Sequence, residues 1–161
     1  MKRFLVSIAC MAGVALLIGC GTTANSAEAT AEQAAMVREM LSERHYRIGV
    51  NFMYPLKGPS RSLTSDYSVE VRNDSLISHL PYFGEAYDLP YGGGQGLNFS
   101  ERISSYADYQ KKKDEFVVEI GVKNSEDIFV YTINIFDNGR SSIDVRSRKR
   151  DPISFSGEME F

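Results

Sequence analysis

Residues 116–139 read FVVEIGVKNSEDIFVYTINIFDNG. Phe116, Val118, Ile120 and Val122 recur at every second position, the period that returns strand side chains to one face. Asn124 to Asp127 supplies a turn, and the same period resumes in Phe129, Tyr131, Ile133 and Ile135. Asp137-Asn138-Gly139 then marks a hairpin, because Asn and Gly accept the positive φ of tight turns. Strands joined this closely are antiparallel neighbours, since parallel pairs need crossovers of a dozen residues or more.

The pattern spreads outward in both directions. Downstream, Ile143 and Val145 mark the return strand, Asp151-Pro152 punctuates, and Ile153, Phe155 and Met159 alternate in a last strand. Upstream, Ile103 to Lys112 reads as a strand turning at Lys113-Asp114, preceded by a long irregular stretch over 81–100. Ser75 to Leu80 pairs back through Asn73-Asp74 onto a strand carrying Tyr67, Val69 and Val71. Residues 55–65 hold two prolines and a glycine and read as a loop. Before them Ile48, Val50, Phe52 and Tyr54 alternate as the first strand, with those four predicted on its apolar face.

Thr30 to about Tyr46 reads as a helix. Thr30 with Gln33 fits a capping box, and Met36, Val37, Met40 and Leu41 form an apolar stripe. The expected fold is therefore α+β. An N-terminal helix packs on a curved, mostly antiparallel meandering sheet of roughly eight strands, with a closed β-barrel as the alternative.

The first residues belong to a different grammar. Lys2 and Arg3 precede a run from Phe4 to Ile18 with no charge, shorter than the ~20 residues of a spanning helix. It ends Leu17-Ile18-Gly19-Cys20, the pattern of a bacterial lipobox. The expected organisation is a signal peptide over 1–19, a lipidated Cys20 with a small, polar tether to residue 29, and one mostly β domain over 30–161. Several acyl chains on one cysteine make a stable anchor where a single chain is marginal. No acidic cluster follows Cys20, which favours the outer membrane facing the periplasm.

Removal of 1–19 leaves 142 of 161 residues, enough for one domain with its own core. Cys10 leaves with the signal, so the mature domain has no disulfide. Lys2 and Arg3 leave too, so 16 of 18 cations face 21 acids for a net charge of −5. That balance argues against a nucleic-acid partner.

The best candidate for a binding surface is the 81–100 stretch, since long loops in compact domains are frequently functional. It carries Tyr82, Phe83, Tyr87 and Tyr91, whose rings suit sugar faces or protein partners, and Glu85 and Asp88, which can accept hydrogen bonds. The competing reading buries the rings over one end of the sheet. Gly92-Gly93-Gly94-Gln95-Gly96 lacks the spacing of a phosphate loop and reads as a turn needing positive φ. His45 and His79 are the only histidines, so no metal site or other cofactor is expected. Ser78 and His79 are strand neighbours and point to opposite faces, which disfavours a triad. Paired-carboxylate chemistry through Glu85 with Asp88 or Glu101 is conceivable. Arg146, Arg148, Lys149 and Arg150 read as a solvated strand end, or as a contact for anionic headgroups or phosphorylated glycan. Asp74-Ser75-Leu76 matches a three-residue O-glycosylation pattern of some anaerobes, making Ser75 a candidate acceptor.

The segments DYSVEV (66–71), LPYFGEAY (80–87), PYGGGQGLNF (90–99), IFDNG (135–139) and ISFSG (153–157) resemble the family known as domain of unknown function 4251, small lipoproteins of Gram-negative anaerobes. The resemblance spans roughly Thr30 to Phe161. It implies an envelope location and one mostly β domain, and it brings no catalytic residues. The expected function is a non-enzymatic binding or interaction module of the cell envelope, attached to the membrane through Cys20 and contacting a glycan, a peptide or an envelope protein. A small carboxylate-dependent hydrolase and a structural subunit of an envelope complex are the alternatives.

Overall fold

A computed structural model describes residues 22–88 and 94–161, with side-chain detail from Thr30 onward. Cys20 and the lipobox, with Tyr91, Gly92 and Gly93 of the irregular stretch, lie outside the described residues.

Helix α1 (Thr22–Glu43) is followed by eight strands: β1 (His45–Pro55), β2 (Arg61–Arg72), β3 (Ser75–Leu80), β4 (Leu97–Lys112), β5 (Glu115–Lys123), β6 (Ile128–Phe136), β7 (Arg140–Ser147) and β8 (Ile153–Glu160). Each strand pairs antiparallel with the next, and β8 pairs with β1, so the meander closes into a barrel. Of the two architectures expected, the closed one is adopted. Closure pairs the two strands that an open meander would leave as edges. The seam depends on Gly157, which lies opposite Val50; a Cβ at that position would overlap the backbone carbonyl of Gly49.

Eight strands leave an interior just wide enough for side chains to fill. Ile48, Val69, Ile120, Phe129, Ile133 and Phe155 are among those that fill it, each almost wholly buried. One polar chain runs through this core. The Tyr131 hydroxyl donates to Ser78 Oγ at 2.9 Å, and Ser78 Oγ donates to the carbonyl of Leu97 at 2.7 Å. His79, one residue on, is exposed on the other face against Tyr67.

Four boundaries differ from the sequence reading. The helix begins at Thr22, so residues 22–29, read as a tether, are helical, and Thr30 is interior rather than a cap. The alanines at 24, 27, 29, 31, 34 and 35 explain this, since alanine is the strongest helix former. On the helix, Val37 and Leu41 enter the core while Met36 faces out. Residues 61–65 belong to β2 and residues 97–100 to β4, where Leu97 and Phe99 are core residues. The fourth difference is a register shift in β1 between Val50 and Phe52. A bulge of one residue moves every later side chain to the other face. Met53 therefore enters the core, and Phe52 and Tyr54 turn outward at 41% and 44% exposure.

The helix closes one mouth of the barrel. Arg38 pairs with Asp137 at 2.9 Å, Gln33 Nε2 donates to the Asn138 carbonyl at 3.2 Å, and the Asn73 N–H donates to the Arg44 carbonyl at 2.8 Å. These contacts tie α1 to the β6–β7 turn, and Arg44, the residue after it, to the β2–β3 turn. The β1–β2, β3–β4, β5–β6 and β7–β8 connections gather at the opposite mouth, the loop end.

Candidate functional site

The first part of the β3–β4 connection, residues 81–88, folds down onto the β7–β8 connection and is clamped there. Ala86 makes an isolated bridge with Arg150. The Tyr87 N–H donates to the Lys149 carbonyl at 2.8 Å, and the Asp151 N–H to the Glu85 carbonyl at 2.9 Å. The Asp151 carboxylate accepts the Tyr87 hydroxyl and, at 3.3 Å, the Glu85 N–H. The Tyr87 hydroxyl, with help from that N–H, holds the Asp151 carboxyl below its usual value, and the carboxylate raises the phenol in return.

The aromatic residues divide into two kinds. Tyr82 is half-buried, its hydroxyl 3.0 Å from the Glu85 carbonyl and 3.1 Å from the Asp151 carbonyl, and burial raises its pKa. It holds the loop in place. Phe83 and Tyr87 face outward, at 46% and 65% exposure. The Arg61 guanidinium sits 4.7 Å over the Phe83 ring. The two carboxylates of the loop do not face each other. Glu85 pairs with Lys57 at 3.1 Å and Asp88 with Lys149 at 2.7 Å, all four side chains being well exposed. The loop thus rests on both the β1–β2 and the β7–β8 connections. The first of these carries exposed Leu56, and Tyr54, exposed too, lies just before it near the end of β1.

Beneath the loop lies a charge cluster that the sequence concealed. Arg150, read with its neighbours as part of a solvated basic run, is only 6% exposed. Its guanidinium pairs with Glu126 at 2.9 Å, approaches Asp127 at 3.9 Å and covers the Tyr82 ring at 5.5 Å. Asp127 in turn accepts the N–H groups of Ile128, Arg148 and Lys149. Buried charges persist only when paired and hydrogen-bonded, and this set joins the β5–β6 and β7–β8 connections. The crevice between Tyr82, Leu97, Phe129 and Arg150 is too small to hold a water molecule. The turn reading of the glycine run holds at Gly96, with φ of 66°. His45 and His79 are both exposed, and among the described residues no three His, Cys, Asp or Glu side chains converge on a metal position. Ser75 opens β3, half-buried, with its hydroxyl 3.3 Å from Asp74.

A family model described as a domain of unknown function (DUF4251) matches residues 28–159. The chain belongs to that family. A crystal structure of a DUF4251 protein from Bacteroides eggerthii resembles it with a TM-score of 0.59 and 13% identity, over 82% of this chain and 89% of that one. At that identity the likeness speaks for the fold. No functionally curated protein matches. The DUF4251 match takes in all of the barrel but the last residue of β8, and both halves of the clamp, from the Tyr82–Tyr87 segment to Asp151.

Proposed function

We propose that this DUF4251 chain is a non-enzymatic, lipid-anchored protein of the cell envelope, and that the loop end of its barrel is the surface with which it contacts a glycan, a peptide or another envelope protein. One observation carries the reading: Phe83 and Tyr87 are kept exposed by a loop whose backbone, Tyr82 and Asp151 are otherwise fastened to the barrel. Large rings left in water on a fixed support are the usual anchors of recognition surfaces. A fixed loop also gives up less entropy on binding than a loose one. Exposed Phe52, Tyr54 and Leu56 extend the apolar area on the outer wall of β1 and just beyond its end.

The anchor rests on Lys2, Arg3, the uncharged run to Ile18 and the Leu17-Ile18-Gly19-Cys20 motif, and the absence of an acidic cluster directly behind Cys20 favours the outer membrane, periplasmic side. Among the described residues no helix is long and apolar enough to cross a membrane. Cys20→Ser is expected to abolish acylation and release the protein from the membrane fraction; acylation that persists in this variant contradicts the anchor. For the surface, crosslinking in the native envelope with Phe83→Ala/Tyr87→Ala alongside is the test. Both rings lie at the surface, so the barrel keeps its fold; because the Tyr87 hydroxyl also bonds Asp151, Asp151→Asn run alongside separates loss of the rings from loosening of the loop, and a partner retained undiminished by the double variant contradicts the assignment.

A further inference from the structure

The loop end departs in charge from the rest of this acidic chain. Its four connections hold five carboxylates, Glu85, Asp88, Glu126, Asp127 and Asp151. Each is committed: Glu85 to Lys57, Asp88 to Lys149, Glu126 and Asp127 to Arg150, and Asp151 to the Tyr87 hydroxyl. The cations outnumber them. Lys57, Arg148, Lys149 and Arg150 lie in the connections, and Arg61, Lys123 and Arg146 on the adjoining strand ends, so seven cations meet five acids. Among the described residues, Lys123, Arg146 and Arg148 have no carboxylate partner, and all three are exposed.

Those three come together on the outer wall. Lys123 lies opposite Ile128, and Val130 lies opposite both Gly121 and Arg146. Phe129 pairs with Ser147, so Arg148 falls beside Ile128, one step past the ladder. Side chains alternate along a strand, so all of these point outward while Val122, Phe129 and Val145 fill the core. The cations frame a small apolar floor of Val130, 43% exposed, and half-buried Ile128, and Gly121 lays no side chain over it. Two strand spacings set β5 and β7 about 9–10 Å apart, which leaves room for one sugar ring between their side chains. The support is fixed, because the buried Asp127 carboxylate takes the N–H of Ile128 at 2.7 Å and that of Arg148 at 3.3 Å. Glu119 and Asp144 bound the patch one row further from the loop end, Asp144 accepting the Ser154 hydroxyl.

We propose that Lys123, Arg146 and Arg148, set around Val130, bind a sugar bearing a phosphate or carboxylate within an acidic glycan. The apolar floor takes the C–H face of the ring, and the two guanidinium forks take its acid group in paired hydrogen bonds. The site lies on the wall, apart from Phe83 and Tyr87, and so goes beyond the ring surface proposed above. Headgroups of the chain's own bilayer are the wrong occupant on the lipid-anchor reading. Helix α1 begins two residues after Cys20 and packs on the other mouth, which sets those headgroups at the far end of the barrel.

The test is retention of the full-length protein, in mild detergent, on immobilised phosphomannan, polygalacturonate, neutral dextran and poly-glutamate. Retention is expected on at least one of the two acidic glycans, weakening as salt is raised, and not on dextran. Arg146→Gln/Arg148→Gln replaces two exposed side chains and should cut that retention about tenfold or more. Lys113→Gln/Arg140→Gln removes the same charge at the other mouth and should leave it within about twofold. Phe83→Ala/Tyr87→Ala should also leave it, so that this proposal and the ring surface fail separately. Mannose 6-phosphate should elute the protein at a lower concentration than glycerol 3-phosphate, the phosphate of a lipid headgroup without a sugar. No retention on either acidic glycan, or retention unchanged in Arg146→Gln/Arg148→Gln, would overturn the proposal. So would an equal loss in either of the other two variants, poly-glutamate held as tightly as the glycans, or glycerol 3-phosphate eluting as well as mannose 6-phosphate.

Discussion

The polar chain in the core gives a prediction whose sign and size follow from geometry. Ser78 accepts from the buried Tyr131 hydroxyl and donates to the Leu97 carbonyl, so it joins β3, β4 and β6 at the base of the clamped loop. Tyr131 is fully enclosed, and burial pushes its phenol far above the usual value, so it stays a neutral donor. Tyr131→Phe removes one donor and leaves Ser78 still bonded to Leu97. The loss is that of one ordinary hydrogen bond, about 0.5–1.5 kcal/mol. Ser78→Ala does more, because it strands a buried phenol without an acceptor and removes a donor from Leu97. An unsatisfied buried group costs about 1–3 kcal/mol, so with the lost bond the total is about 2–4 kcal/mol. In the double variant the phenol is gone, and the combined loss falls short of the sum by about 1–2 kcal/mol. Urea unfolding of the four proteins measures all three quantities. A Tyr131→Phe loss equal to or above that of Ser78→Ala, or strict additivity, refutes the reasoning.

The β1 bulge makes Met53→Ala a core cavity costing about 2–5 kcal/mol, while Phe52→Ser on the outer wall stays within about 1 kcal/mol; urea midpoints in the reverse order would place the bulge wrongly. Arg150→Ala leaves Glu126 and Asp127 facing each other without their cation and should cost about 3–5 kcal/mol, and a loss below 1 kcal/mol would mean that water replaces the guanidinium freely. Because Tyr87 lowers the Asp151 pKa, the clamp that needs the ionised carboxylate is complete above about pH 4 and is lost as pH falls below the usual 3.8 through the depressed folded value. The Tyr87 amide signal should titrate with a midpoint under 3.8 and stay flat in Asp151→Asn; a midpoint at or above 3.8 contradicts the clamp.

Much of this molecule was legible in period and turn chemistry. β5 to β8 lie where Phe116–Val122, Phe129–Ile135, Ile143–Val145 and Ile153–Met159 placed them, and Asn73 turns with φ of 55° as its residue type allows. Closure was legible only as an alternative, since the pairing of β8 with β1 joins the two ends of the sheet and leaves no mark in local pattern. The β1 bulge was hidden for a related reason. Ile48, Val50, Phe52 and Tyr54 keep perfect alternation through Asn51, and only tertiary pairing reveals that the register slips there. Leu97 and Phe99 were read as loop because the glycine run beside them masks a short alternation. At the candidate site, the division of the loop's rings into exposed Phe83 and Tyr87 and half-buried Tyr82 was not legible, because it is set by contacts with the distant Asp151 and Arg150. Arg150 was misjudged because composition groups it with Arg148 and Lys149, while its partners Glu126 and Asp127 lie more than twenty residues away and meet it only through the barrel.

The central claim is that the loop end is a contact surface, and crosslinking in the native envelope tests it most directly. The full-length protein, Phe83→Ala/Tyr87→Ala and, as a control on the far wall, Thr132→Ala are crosslinked in parallel and their partners identified by mass spectrometry. The account predicts a specific partner captured by the unmodified chain and by Thr132→Ala, and lost from the folded double variant. Equal capture by all three, or no specific partner for any, would contradict it.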